Sequence, residues 1–276
     1  MTWKTLLAHV DDAPSCRSRL AAAFRLARAF DAAVVGMYLV PGTTMTPSGA
    51  ALLPDDVAAA RLGRYGDAQH EAEAAFRAQA TQAGVREVEW RAPAGAMVDA
   101  AILAARCTDL VILSQDDPAA GGRNAFATNV VLGCGRPTLV VPYIGAPADF
   151  GERILVAWDG GREAARAVGD ALPLLARARH VDVIAVDSDT DEDVEERLSV
   201  ARLAQWLAAH GVTADVDRQH AGDVGTGEWL LSRAADLSAD LLVMGGYAHA
   251  RLRELVVGGV TRTMLRSMTI PVLLSH

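Results

Sequence analysis

TLLAHVDDAPSCRSRLAAAFRLARAF, residues 5–30, returns just past the middle of the chain as RILVAWDGGREAARAVGDALPLLARA, residues 153–178. Each copy reads as a short apolar strand with an Asp at its end, Asp11 or Asp159. A small polar turn follows, then a helix rich in Ala, Leu and Arg. Further marks recur in the same order. AAVVGMYLV (32–40) answers to VDVIAVD (181–187), TDLVILSQ (108–115) to ADLLVMGG (239–246), and RPTLVVPY (136–143) to IPVLLSH (270–276). A shared order of this kind indicates a tandem duplication. The Gly/Pro loop IGAPADFGE (144–152) marks its seam, which divides the chain into domains 1–147 and 148–276.

The quoted strands are continuous apolar runs, as in a parallel sheet buried on both faces. Between them lie helical patterns, EAEAAFRAQATQAG (71–84) and VEERLSVARLAQWLAAHG (194–211), each closed by Gly. Strands alternating with helices predict an α/β fold of two tandem domains. Each is a doubly wound, five-stranded parallel sheet with helices on both faces. PGTTMTPSGAALLPDD (41–56) reads as a loop. The acidic DSDTDEDVEE (187–196) reads as the solvated start of a helix, where carboxylates suit the helix dipole without any metal ion.

Composition narrows the function. With 276 residues, half of them hydrophobic, each half has material for its own core. A net charge of −8 argues against a nucleic-acid surface, which needs clustered Lys and Arg. No apolar run reaches the roughly 18 residues of a membrane span. The opening MTWKTLLAHVDD turns acidic too early for a secretion signal. Cys16, Cys107 and Cys134 are unclustered and odd in number, so they read as small buried apolar residues in a reduced, cytoplasmic compartment.

MGGYAHARLRELVVGGVTR, residues 244–262, carries the candidate site. Gly245 and Gly246 follow a strand, while Gly258 and Gly259 precede the helix VTRTMLRSM (260–268). Ligands of open α/β sheets bind outside the carboxyl ends of the strands. A helix N-terminus there offers free N–H groups to a phosphate, and glycine lets the phosphate approach them. The plainer alternative is that the glycines only make tight turns.

With these residues in place, the chain resembles a tandem member of the universal stress protein family. Nucleotide-binding members share Gly-x2-Gly-x9-Gly-[Ser/Thr] between the fourth strand and last helix, an Asp ending the first strand, and a closing Pro-Val strand. Here Gly245, Gly258, Asp159 and IPVLL match that pattern, while Ala248 replaces the middle glycine and Gly259 the hydroxyl residue. The resemblance implies an adenine nucleotide α-hydrolase-like fold with ATP or AMP at the strand ends. It also implies a role in stress tolerance through regulated binding. The nucleotide-binding set is Asp159, Asp187, Gly245, Gly246, Ala248, Arg251, Gly258, Gly259, Val260 and Thr261. Thr261 would offer the missing hydroxyl, and Arg251 a guanidinium shaped to phosphate. If the middle position is left-handed, Ala248 costs about 1–2 kcal/mol, which predicts weak binding.

The first half lacks glycines at matching places. Asp116 and Asp117 would face any phosphate there, so this half reads as a degenerate, structural copy. Trp158 is expected under the last helix rather than stacked on a base, His249 as a solvated loop residue, and His9 belongs to no readable constellation. No Gly-x-Ser-x-Gly elbow, Gly-Lys-[Ser/Thr] loop or His-Glu-x-x-His motif occurs, so turnover is less favoured than binding. Two alternatives stay open: an interaction scaffold without nucleotide for unknown protein partners, and, ranked last, a slow ATPase. The resemblance also implies that the two closing strands pair internally as a pseudo-dimer, with Leu139 and Val141 near Val272 and Leu274. Homodimers of whole chains remain open.

Overall fold

The computed structural model describes residues 2–39, 55–93, 96–116, 126–147, 149–187, 200–220, 225–247 and 259–276. In the first half, β1 (Thr5–Val10), α1 (Cys16–Phe30), β2 (Ala33–Tyr38), α2 (Asp55–Gln82) and β3 (Val88–Arg91) lead on to α3 (Met97–Ala105), β4 (Leu110–Ser114), α4 (Phe126–Cys134) and β5 (Thr138–Val141). The second half repeats this order with β6 (Arg153–Trp158), α5 (Arg162–Leu175), β7 (His180–Asp187), α6 (Val200–Ala209), β8 (Asp215–His220), α7 (Thr226–Asp236), β9 (Leu241–Gly245), α8 (Gly259–Ser267) and β10 (Val272–Ser275). No described helix is long and apolar enough to cross a membrane.

The described strands form one ten-stranded sheet, ordered β3-β2-β1-β4-β5-β10-β9-β6-β7-β8. Neighbours are parallel everywhere except at the centre, where β5 and β10 run antiparallel. That central pair is the expected one, in a register of Leu139 opposite Leu273 and Val140 opposite Val272. All four are fully buried, so the apolar edge of each half is covered by the other.

Periodicity explains the helices. In α1, Leu20, Ala23, Phe24, Ala27 and Phe30 fall on one face and are buried. The helix stops at Asp31, whose left-handed φ of 51° serves where Gly is usual. Helices α1, α2, α5 and α6 contribute to one core on one face of the sheet. Helices α3, α4, α7 and α8 pack on the other face. Helix α2 seats on the sheet through Phe76. A Cβ on Gly36 of β2 would lie 2.8 Å from that ring.

Several expectations change. Strands β3 and β8 are not continuous apolar runs. In β3 the residues alternate between half-buried and exposed, because an edge strand is covered on one side only. Asp55 and Asp56, expected in a loop, begin α2, while residues 41–54 lie outside the described residues. The same holds for 188–196 of the acidic run. Cys134 is buried, but Cys16 is half-buried and Cys107 exposed, so the cysteines are not uniformly core residues. Trp158 packs against the core shared by α1, α5 and α6, on the face opposite α8. It ends β6, and strand alternation sends its side chain away from the last helix.

Candidate functional site

The two first-strand aspartates have opposite surroundings. Asp11 receives the Arg19 guanidinium on Oδ1 at 2.7 Å. Arg19 is only 1% exposed, and it also donates to the His9 carbonyl at 2.6 Å and the Ser114 hydroxyl at 2.7 Å. His9 reaches the Leu39 carbonyl at 2.8 Å and lies against the Phe126 ring. Burial, and then the charge of Arg19, push His9 down to about 4. The carboxyl end of β1 is thus filled by a satisfied polar network of the protein itself.

Asp159 is exposed and has no ion pair among the described residues. Its Oδ1 accepts the Gly161 N–H at 2.8 Å, closing an Asx turn through Gly160 at φ 69°. A Cβ at Gly161 would stand 2.8 Å from that same oxygen, so a larger residue there would push the Asp159 carboxylate aside. Matching the buried positions of α1 and α5 sets Glu163 where Arg19 stands. Arg19 follows its aspartate by eight residues and Glu163 by only four, so the second half has the shorter turn. Glu163 is buried, which alone would raise its carboxyl. Its hydrogen bond from Arg162 holds it below the usual range. A buried anion has replaced a buried cation, and the outer oxygen of Asp159 has no partner among the described residues.

At the end of β9, the glycines meet protein. A Cβ on Gly245 would lie 2.6 Å from the Ala164 nitrogen and 2.8 Å from the Glu163 carbonyl carbon. Gly245 therefore lets β9 approach the first turn of α5. Gly246 faces Val131 of α4 and the Ser275 carbonyl, at 3.4 and 3.6 Å from the same kind of added atom. Gly259, at the N-terminus of α8, differs: no described residue beyond its chain neighbours and its own helix backbone lies within 4 Å of a Cβ placed there. Val260 beside it is half-buried against the α7–α8 core.

Tyr247 holds a left-handed backbone at φ 62°, which costs a residue with a Cβ about 1–2 kcal/mol. Two contacts fix it. Its N–H donates to the Thr261 hydroxyl at 3.1 Å, and its phenol donates to Thr128 of α4 at 2.8 Å. Thr261 is only 3% exposed, so the hydroxyl expected at a phosphate is instead a buried acceptor for Tyr247. The left-handed backbone at Tyr247 directly precedes position 248, whose own conformation lies outside the described residues. Ala248, Arg251 and Gly258 lie outside them, as do His249, Asp117 and the side chain of Asp187. Asp116 is half-buried at the end of β4, and burial raises its carboxyl to about 6.

The structure thus brings Asp159, Gly245, Gly246, Gly259, Val260 and Thr261 to the carboxyl end of adjacent strands β6 and β9. Arg19, Glu163, Tyr247 and Thr128 are the residues that sequence reasoning passed over. Arg19 did leave a signal, a charge on the apolar face of α1, one residue before Leu20 and four before Ala23. Tyr247 left none, since its partner Thr128 is 119 residues away.

Comparison with known proteins agrees with the fold. Residues 151–276 match the model of the Universal stress protein family. A universal stress protein of Synechocystis sp. is 30% identical over a stretch covering 27% of this chain and 38% of that relative, well short of its whole length. Over nearly the full chain the fold is similar to that of a universal stress protein from Archaeoglobus fulgidus. The TM-score is 0.76 at 16% identity, with 98% of this chain and 97% of that one covered. A Pseudomonas aeruginosa protein of unknown function gives a TM-score of 0.61 at 16% identity, over 99% and 92% of the two chains. Residues 151–276 thus match the universal stress protein family, and they sit in a ten-stranded α/β fold similar along the whole chain to that of a universal stress protein.

Proposed function

We propose that residues 148–276 bind an adenine nucleotide weakly, as ATP or AMP, and that residues 1–147 are a related copy whose equivalent site is closed. The observation that carries this reading is the contrast between the two aspartates. Asp11 is spent on Arg19, whereas Asp159, at the end of a strand adjacent to β9, has one oxygen with no partner among the described residues, and no described residue crowds Gly259 at the start of α8. In this reading Asp159 accepts a hydrogen bond from ribose or adenine. The amide of Gly259, at the positive end of α8, meets a phosphate. Val260 adds apolar contact. Ala248, Arg251, Gly258 and Asp187 belong to the proposal by sequence alone. Thr261 acts indirectly, by holding Tyr247. The role is binding rather than turnover, in a cytoplasmic stress response.

A second reading is favoured by a specific observation. Gly245 and Gly246 are explained by the backbone and side chains already packed against them, as an interaction scaffold without nucleotide would require. Calorimetry of the full chain with ATP and AMP separates the two. We expect one site per chain, weakened at least tenfold by Asp159→Ala and by Gly259→Ala, and unchanged by Asp11→Asn. Gly259→Ala should leave the melting temperature the same or higher, since the added methyl meets none of the described residues. Absence of any binding, together with no nucleotide released from heat-denatured purified protein, establishes the scaffold instead.

A further inference from the structure

A groove of about 1090 Å³ runs along the first half between α1 and α2, away from Asp159 and α8. It starts beside Asp12 and Pro14 at the carboxyl end of β1 and continues to Gln82 and Ala83 near the end of α2. Small residues make the space. Ala21 lines the α1 wall, and Ala68, Ala72 and Ala75 recur at helical spacing on the α2 wall. Leu20, Phe24 and Phe76 seal the floor and are buried, so the groove is open along its length rather than a closed chamber.

Charge is uneven around the groove: Asp11 and Asp12 stand at its β1 end, and the arginines line the α1 rim beyond them. Arg17 and Arg28 on α1 are exposed, and neither has a hydrogen bond or ion pair among the described residues. Arg25, between them, is held by the Phe150 carbonyl and lies over that ring at 4.4 Å. The α2 rim offers Glu71, Gln79 and Gln82. In a chain of net charge −8, two unpartnered guanidiniums along one side of an alanine-walled groove form a local cationic edge.

We propose that this groove docks an amphipathic helix of a partner protein, with acidic residues on the flank that meets α1. The α2 wall from Ala68 to Ala83 is roughly 22 Å long at about 1.5 Å per residue, the length of about four helical turns. Arg17 and Arg28 are roughly 16 Å apart on the same scale, so their partners are acids about three turns apart. Large apolar side chains at i, i+4, i+7 and i+11 of the incoming helix fit over the alanines. An open groove with a sealed floor suits a helix lying along it better than a small ligand, whose sites enclose most of its surface. The inference is independent of nucleotide binding.

The test uses the full chain and two fluorescein-labelled peptides of four turns, with leucines at those spacings and one flank all Glu or all Lys. We expect the Glu peptide to bind with a Kd on the order of 10 µM, and the Lys peptide at least tenfold more weakly. Arg17→Glu with Arg28→Glu, both at exposed sites, should reverse that order, and Ala72→Trp should abolish binding by filling the groove. Equal binding of both peptides, or none below about 200 µM, overturns the proposal. So does a concentration-dependent dimer, seen by light scattering, that the charge reversal dissolves, since the occupant would then be a second copy. Saturable binding of dodecanoate without peptide binding also overturns it.

Discussion

His9 and Asp116 titrate in opposite senses at the ends of neighbouring strands of the first half. Burial and Arg19 lower His9 to about 4, so the unfolded chain, near 6.5, takes up a proton that the folded chain refuses. Stability from a neutral His9 is complete above about pH 6.5 and is lost as pH falls toward 4, by about 3 kcal/mol at most. Asp116 runs the other way. With its carboxyl raised to about 6, the folded chain is the better proton acceptor. That contribution is present below the unfolded value near 4 and is lost as pH rises through 6. The two therefore offset each other between pH 4 and 6. Urea denaturation across this range should show wild type losing ground to His9→Gln as pH falls, and gaining on Asp116→Asn. Parallel pH profiles for all three proteins would contradict these assignments. Arg19 supplies the fixed charge that lets the group operate, and Asp11 balances it at 2.7 Å.

At the scale of elements, glycine decides how closely strands and helices meet. Gly36 admits the Phe76 ring to the surface of β2, and Gly245 admits the first turn of α5 to the end of β9. Their neighbours differ in what can yield. The atoms around Gly36 belong to a side chain, while those nearest Gly245 are backbone. Gly36→Ala should cost about 1–3 kcal/mol, and adding Phe76→Leu should recover part of it, because the smaller side chain makes room. Gly245→Ala should cost more than Gly36→Ala, with no single compensating side-chain change. Chemical denaturation of the three variants and the double mutant measures this. An equal cost at both glycines would mean that the first turn of α5 shifts easily. Gly259 is the informative glycine for the proposed ligand binding, because packing among the described residues does not account for it.

At the scale of the whole molecule, the antiparallel pairing of β5 with β10 turns two five-stranded sheets into one. Leu139, Val140, Val272 and Leu273 are fully buried at this join. Side-chain contacts reinforce it. Tyr247 reaches Thr128, Arg177 donates to the Ala29 carbonyl at 2.6 Å and covers Phe30, and Arg166 reaches the Gly135 carbonyl. A carboxylate placed at the join would be buried without a partner. Val141→Asp and Leu273→Asp, made in turn, should each convert a single cooperative melt into separated transitions or precipitate the protein. Retention of one unshifted transition in either variant would mean that the join contributes little. Tyr247 gives the join a further meaning, since it places the start of the glycine segment of one half in contact with a helix of the other.

The sequence by itself determined the alternation of strands and helices, the repeat of their order, and the pairing of the two closing strands. The first two follow from local periodicity, while the pairing came from the family resemblance, to which the apolar edges of RPTLVVPY and IPVLLSH add support. Edge strands β3 and β8 were less legible, because burial on one side leaves a weak signal. Tertiary structure alone decided which half keeps an available aspartate. Asp11 and Asp159 stand in the same motif, and only the fold shows a guanidinium eight residues on filling one site and an Asx turn leaving the other open. It also decided what the glycines do. Close approach involves two partners, and Ala164, Val131 and Thr128 come to residues 245–247 from segments that are distant along the chain.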